Sequence, residues 1–201
     1  MPSHPFRSSR AAICAALFIA IVPVTRVSAA PPPCPLAQDA LVAQAVGSPV
    51  TGGIMTDFIS DNPLDTGPDK TVCWWDAQSG STVTLTRQTN AFGPGGATGP
   101  AQLAQSLFRI PDEAKAELEL LQTQGVTDIQ LPTYQMTSAS GIGDAAVWVF
   151  QNDPALNVPS GGFLVQRGAD ALVVGIIGEA ESTSRSQASA LAQAVLATLA
   201  P

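Results

Sequence analysis

The stretch TVCWWDAQSG, residues 71–80, sets Cys73 directly before Trp74, Trp75 and Asp76. A thiol there could be a nucleophile, a metal ligand or half of a disulfide. Nucleophilic catalysis by Ser or Cys draws on a neighbouring base, most often imidazole. The one histidine is His4, close to the N-terminus. A lysine base would have to be Lys70, in a turn-rich loop, or Lys115, on a charged helix, and neither setting desolvates an amine. No G-x-S-x-G elbow occurs, and SASGIG and VPSGG read as turns. Cys34 and Cys73 without a histidine or a third thiolate leave a tetrahedral zinc site incomplete. Carboxylates remain. Asp76 and Asp144 each adjoin a strand and could form the acid–base pair of a polymer hydrolase; an exposed strand end explains them equally. Asp57, Asp61, Asp65 and Asp69 recur every four residues but lack the ligand spacing of a calcium loop, so they read as a solvated acidic loop. Gly141-Ile142-Gly143-Asp144 leads into a strand, whereas a phosphate cradle leads into a helix, so it reads as a turn. No cofactor and no metal are expected.

The N-terminus has the form of a cleavable export signal. Arg7 and Arg10 precede the uncharged run AAICAALFIAIVPV, and Val27-Ser28-Ala29 offers small residues for cleavage before Ala30. At 14 residues, Ala11 to Val24, the run is short of the ~20 that span a bilayer. Cys14 follows Ile13 and Cys34 follows Pro33, so neither sits behind the small residue that lipid attachment requires. Residues 1–29 are therefore expected to be a signal peptide and 30–201 a single exported domain, secreted or periplasmic, with no stable membrane anchor. The full chain carries a net charge of −7. Loss of Arg7, Arg10 and Arg26 leaves six basic residues against 16 acids, a net charge near −10. That balance argues against nucleic acid, whose binding needs cations to displace counterions, and against anionic membrane surfaces. His4 and Cys14 leave with the signal. Two cysteines in an oxidising compartment imply a Cys34–Cys73 disulfide.

The elements that would position these residues follow from periodicity. Residues 36–46 read as a short helix stopped by Gly47, SPVTGG as a turn, and 54–59 as a strand. Residues 71–76 and 82–87 form a hairpin, with Val83 and Leu85 alternating against Thr82, Thr84 and Thr86. The Gly/Pro-rich 88–100 segment reads as a linker or mobile loop. Residues 101–124 read as helical with a break at Pro111, 126–137 as extended, and 145–150 as a buried strand carrying Trp148 into the core. NDPALNVPSGG reads as a loop. Residues 163–167 and 171–177 form a hairpin, and a final helix opens near Ser182 or Ser184. Its residues Ala188, Leu191, Ala192, Val195, Leu196 and Leu199 make one apolar stripe. The expectation is an α+β domain: an antiparallel sheet of about six strands with N-terminal, central and C-terminal helices packed on it.

Neighbouring residues on a strand face opposite sides of its sheet. Trp74 and Trp75 are thus either both covered, one by the core and one by a helix or the 88–100 loop, or split, with one at the surface as a contact residue. Trp74, Trp75 and Tyr134 are the candidates for a binding surface. The order of motifs adds a resemblance. CPL…ALVAQAVGSPVTGG, CWWDAQSGSTVTLTR, GIGDAAVW, LVQRGADALVVGI and ALAQAVLATL follow one another over most of residues 34–200. This resembles a group of small exported bacterial domains of unknown function, mainly actinobacterial. The resemblance implies the Cys34–Cys73 pairing and an α+β sheet-and-helix fold, and it implies no activity. The expected function is a non-enzymatic module that binds a protein partner or a small apolar ligand. A carboxylate-based hydrolase of an envelope polymer and a structural envelope component are the alternatives.

Overall fold

Thr82–Gln88 shows how the sequence builds its sheet. Val83 and Leu85 are fully buried while Thr82, Thr84 and Thr86 are half-exposed on the other side. In a computed structural model this strand lies within one seven-stranded antiparallel sheet, accompanied among the described residues by four helices. The structure describes residues 32–55, 70–108, 112–126, 130–131, 133–152 and 158–199. The elements in chain order are α1 (Asp39–Val46), β1 (Val50–Met55), β2 (Lys70–Ala77), β3 (Thr82–Gln88), α2 (Pro100–Leu107), α3 (Asp112–Thr123), β4 (Thr133–Ala139), β5 (Ala145–Asn152), β6 (Ser160–Arg167), β7 (Asp170–Ile177) and α4 (Glu181–Thr198). Two meanders, β1-β2-β3 and β4-β5-β6-β7, join where β3 pairs with β7, giving the order β1-β2-β3-β7-β6-β5-β4. The expected α+β class is observed, with one strand more than expected.

Directly paired residues share a face, so the register sorts every side chain. Cys73, Trp75, Val83, Leu85, Leu172, Val174, Ile176, Phe163, Val165 and Trp148 point to one side. That side carries the main core, roofed by Val42 and Val46 of α1 and by Ala188, Leu191, Ala192, Val195 and Leu196 of α4. Each fully buried Leu or Val contributes about 1.5–3 kcal/mol relative to exposure. Arg167 ties the roof down by donating to the carbonyls of Leu196 (3.0 Å) and Leu199 (3.5 Å) at the negative end of α4. Gln187 donates to Val46 O at 2.8 Å and so joins α4 to the end of α1.

The opposite side has a smaller cover. Leu103 and Ala104 of α2, with Ala91, pack on Val147, Val149 and Leu164. Helix α2 contacts β5 and β6. Chain segment 88–99, expected to be a linker or mobile loop, is instead a folded strap. Phe92 N–H donates to Ala169 O at 2.9 Å, Asn90 N–H to Asp170 Oδ1 at 3.2 Å, and Ala97 N–H to Ala91 O at 3.1 Å. Its glycines let successive tight turns close on one another: a Cβ at Gly96 would collide with Ala91 O.

Three further expectations are corrected. VTGG is part of β1 rather than a turn, because a bulge between Gly52 and Ile54 lets glycines at φ +119° and +55° stay in the strand. Ser160-Gly161-Gly162 is the start of β6 rather than loop. The extended segment expected at 126–137 is a strand at Thr133–Ala139. Residues 56–59 of the strand expected at 54–59, and the Asp57, Asp61, Asp65 and Asp69 series, lie outside the described residues.

Candidate functional site

The disulfide answers the question about Cys73. Cys34 and Cys73 are bonded, with Cα atoms 5.6 Å apart. Residues 32–34 run beside β1: Pro33 bridges Ile54, Cys34 N–H donates to Gly53 O, and Met55 N–H donates to Pro32 O at 2.9 Å. The bond fastens this strap to β2, next to the tryptophans.

The two tryptophans split between the faces. Trp75 is 0% exposed in the main core. Its Nε1–H donates to Asp39 Oδ1 at 2.8 Å, in the first turn of α1. A Cβ on Gly53 would strike this pair, 2.8 Å from Trp75 Nε1, which is why glycine stands there. Trp75 is therefore removed from the candidate surface. Trp148, 1% exposed, is also core; its Nε1–H donates to Glu181 Oε1 at 3.3 Å and Arg185 lies over its ring. Trp74 faces the other way, half-buried, with Nε1–H donating to Asp76 Oδ1 at 3.1 Å. Tyr134 is on the same face as Trp74 and packs against Phe108, ring centroids 5.1 Å apart.

Between Trp74 and Tyr134 the face holds a depression. One row of paired residues crosses the whole sheet: Ile54, Trp74, Thr84, Gly175, Gly162, Val149 and Met136. At its middle Gly162 and Gly175 are direct partners, so two adjacent strands present bare backbone. Neither position accepts a side chain. A Cβ at Gly162 would lie 2.6 Å from Val174 O, and one at Gly175 would meet Thr84 Oγ1. The resulting hollow of about 180 Å³ has Val149, Val173, Ile177 and Phe108 among its walls. Thr84, Ser160 and Gln151 supply its polar groups, and Ser160 Oγ–H donates to Gln151 Oε1 at 3.4 Å. Apolar cavities of about 150 Å³ hold one benzene ring, so the space suits a single ring or a short alkyl segment. Sequence reading found Trp74 and Tyr134 and missed the floor. Its signal was present: glycine inside a strand marks close backbone approach.

The carboxylate pair does not assemble. Asp76 lies on β2 and Asp144 precedes β5, with β3, β7 and β6 between them. Four strand spacings alone separate them by about 19 Å, far beyond the ~5–9.5 Å of paired glycosidase carboxylates. Both already have structural tasks. Asp76 accepts from Trp74 and from Thr82 Oγ1–H (3.3 Å), and Asp144 accepts from Gly168 N–H at 2.6 Å, closing the 140–144 turn on the β6–β7 hairpin. Two roomier hollows, about 630 and 580 Å³, flank that turn. The first includes Asp144 and the start of α2; the second includes Arg185 with Ser182, Ser186 and Ser189. Among the described residues no three His, Cys, Asp or Glu side chains gather as metal ligands would. Compared with known proteins, the chain matches no family model, no curated protein and no solved structure.

Proposed function

We propose that this chain is an exported, non-enzymatic binding module that takes an apolar group, from a small ligand or from the side chain of a protein partner, into the hollow over Gly162 and Gly175. The observation that carries the reading is the glycine pair itself. A face built for packing alone would fill the centre of its sheet with side chains, as the α1/α4 side does. Here the centre is emptied, apolar walls are kept around it, and a half-buried tryptophan stands two strands away. The signal-like leader, the disulfide and the absence of any described helix long and apolar enough to cross a membrane support export. The order of motifs supports kinship with the small exported domains it resembles.

The test is a titration of the purified protein, disulfide intact, with the neutral fluorophore N-phenyl-1-naphthylamine. Saturable binding is expected, and Thr84→Trp should weaken it at least tenfold by filling the hollow from a half-exposed position. Ser189→Trp, in the serine-lined hollow, should leave it unchanged. Absence of binding, or equal binding by Thr84→Trp, overturns the site. An intact mass beginning at Ala30 tests export separately.

A further inference from the structure

The hollow over Gly162 and Gly175 has two unlike sides. On β7 Gly175 stands between Val173 and Ile177, and on β6 Gly162 stands between Leu164 and Ser160, all facing the same way. The register extends each flank into a row. One flank runs Val173, Leu164, Val147 and belongs to the small core beneath α2, with Leu103, Ala104 and Phe108. The other runs Ile177, Ser160, Gln151 and lies half-buried. Two polar side chains thus face an apolar wall across a floor of bare backbone. A third polar group, Thr84 Oγ1, lies on the β3 side, where a Cβ on Gly175 would meet it. Among the described residues no Asp, Glu, Lys or Arg lines the space.

We propose, resting on the reading of this hollow as a binding site, that its occupant is a neutral ring bearing a hydroxyl, of which a phenol is the simplest case. The ring lies on the two glycines with its hydroxyl toward Ser160 and Gln151. Each part follows from the lining. The volume, about 180 Å³, fits one ring. The floor is peptide backbone without side chains, so it accepts a flat group. The apolar flank takes the ring carbons. A pure hydrocarbon would instead cover Ser160 and Gln151 and strip them of water without replacing its hydrogen bonds, which costs free energy. Ser160 Oγ and Gln151 Oε1 are 3.4 Å apart, beyond the ~2.5–3.0 Å of a strong O–H···O bond, so each keeps capacity for a ligand's hydroxyl. Charge excludes the ionic relatives. An ammonium would find no carboxylate in the lining, and a carboxylate would find no cation there, in a chain of net charge −7.

The test is a titration of the exported protein, disulfide intact, followed by heteronuclear NMR at the backbone amides of Gly162 and Gly175. The probes are p-cresol, toluene, p-toluate and benzylamine. A plain apolar hollow prefers toluene, because burying an unpaired hydroxyl costs free energy. Here p-cresol should bind about two- to tenfold tighter than toluene, the worth of one neutral hydrogen bond. The two ions should bind at least tenfold more weakly than p-cresol. Ser160→Ala should bring p-cresol down to the level of toluene, and Gln151→Leu serves in its place should Ser160→Ala fail to fold. N-acetyl-tyrosinamide separates the sources: binding as tight as that of p-cresol assigns the ring to a tyrosine of a protein partner, and weaker binding assigns it to a free phenol. Toluene binding as tightly as p-cresol overturns the hydroxyl assignment and leaves the apolar hollow standing. An ion that binds as tightly as p-cresol overturns the neutral one. A p-cresol preference that survives both substitutions also overturns the proposal, because the hydroxyl then lies elsewhere. If no probe shifts either glycine, the hollow is not a binding site and both readings fall.

Discussion

Trp74 and Trp75 are adjacent in the chain and live in different environments. Trp75 is sealed beneath α1, its ring nitrogen bonded to Asp39. Trp74 lies half-buried on the opposite face, where the α2 helix packs on β5 and β6. The same division holds along β7: Val174 and Ile176 are fully buried, and Gly175 between them floors a hollow. Because strand side chains alternate, one run of sequence can fill a core on one face and leave space on the other. The α1/α4 face therefore carries stability, and the α2 face carries the candidate site.

Substitutions can break this contrast. The largest effect is expected at Trp75→Ala, which empties the core and should destabilise by about 3–5 kcal/mol in urea unfolding. A loss below about 1 kcal/mol would mean that the face is not the core described. Removing the disulfide, as Cys34→Ala with Cys73→Ala, should lower stability by about 2–4 kcal/mol. It should also free the β1 edge, read as faster amide exchange at Met55, whose N–H donates to Pro32 O. Asp39→Ala leaves the Trp75 Nε1–H without its partner and should cost about 1–2 kcal/mol; a neutral result would assign the indole to water. Thr84→Val, on the open face, should change stability by no more than about 0.5 kcal/mol. Acrylamide quenching sharpens the comparison without perturbing folding: Trp74→Phe should remove most of the quenchable emission, since Trp75 and Trp148 are 0% and 1% exposed.

Legibility in the sequence follows the same division. The β6–β7 hairpin, β3 and the α4 stripe could be read because their apolar residues repeat at one period, and the division between α2 and α3 because of Pro111. The disulfide was legible from two cysteines behind an export-like leader. What escaped reading is what lacks apolar periodicity. VTGG and SGG looked like turns because glycine's usual service is in turns, yet here it lets strands bend in β1 and lie bare in β6. Strand β4 offers only a short alternation, Tyr134 and Met136 against Gln135 and Thr137, too brief to fix its bounds. The site was half visible for this reason: the aromatic residues on its face announce themselves, and a floor made of missing side chains does not. The joining of β3 to β7 has no local signature at all.

That junction bears on how the molecule comes to exist. Hairpins such as β2–β3 and β6–β7 close locally, on a microsecond scale in isolation, ~1–10 μs. The contact between them cannot. Arg87 and Asp170, which form an ion pair at 2.6 Å across the β3–β7 seam, are 83 residues apart. Bringing them together closes a long loop at an entropic cost, and non-local pairing of this kind slows folding to roughly milliseconds to seconds. The geometric middle of the sheet is thus its most non-local contact, and the single core beneath α1 and α4 is complete only when that centre is closed.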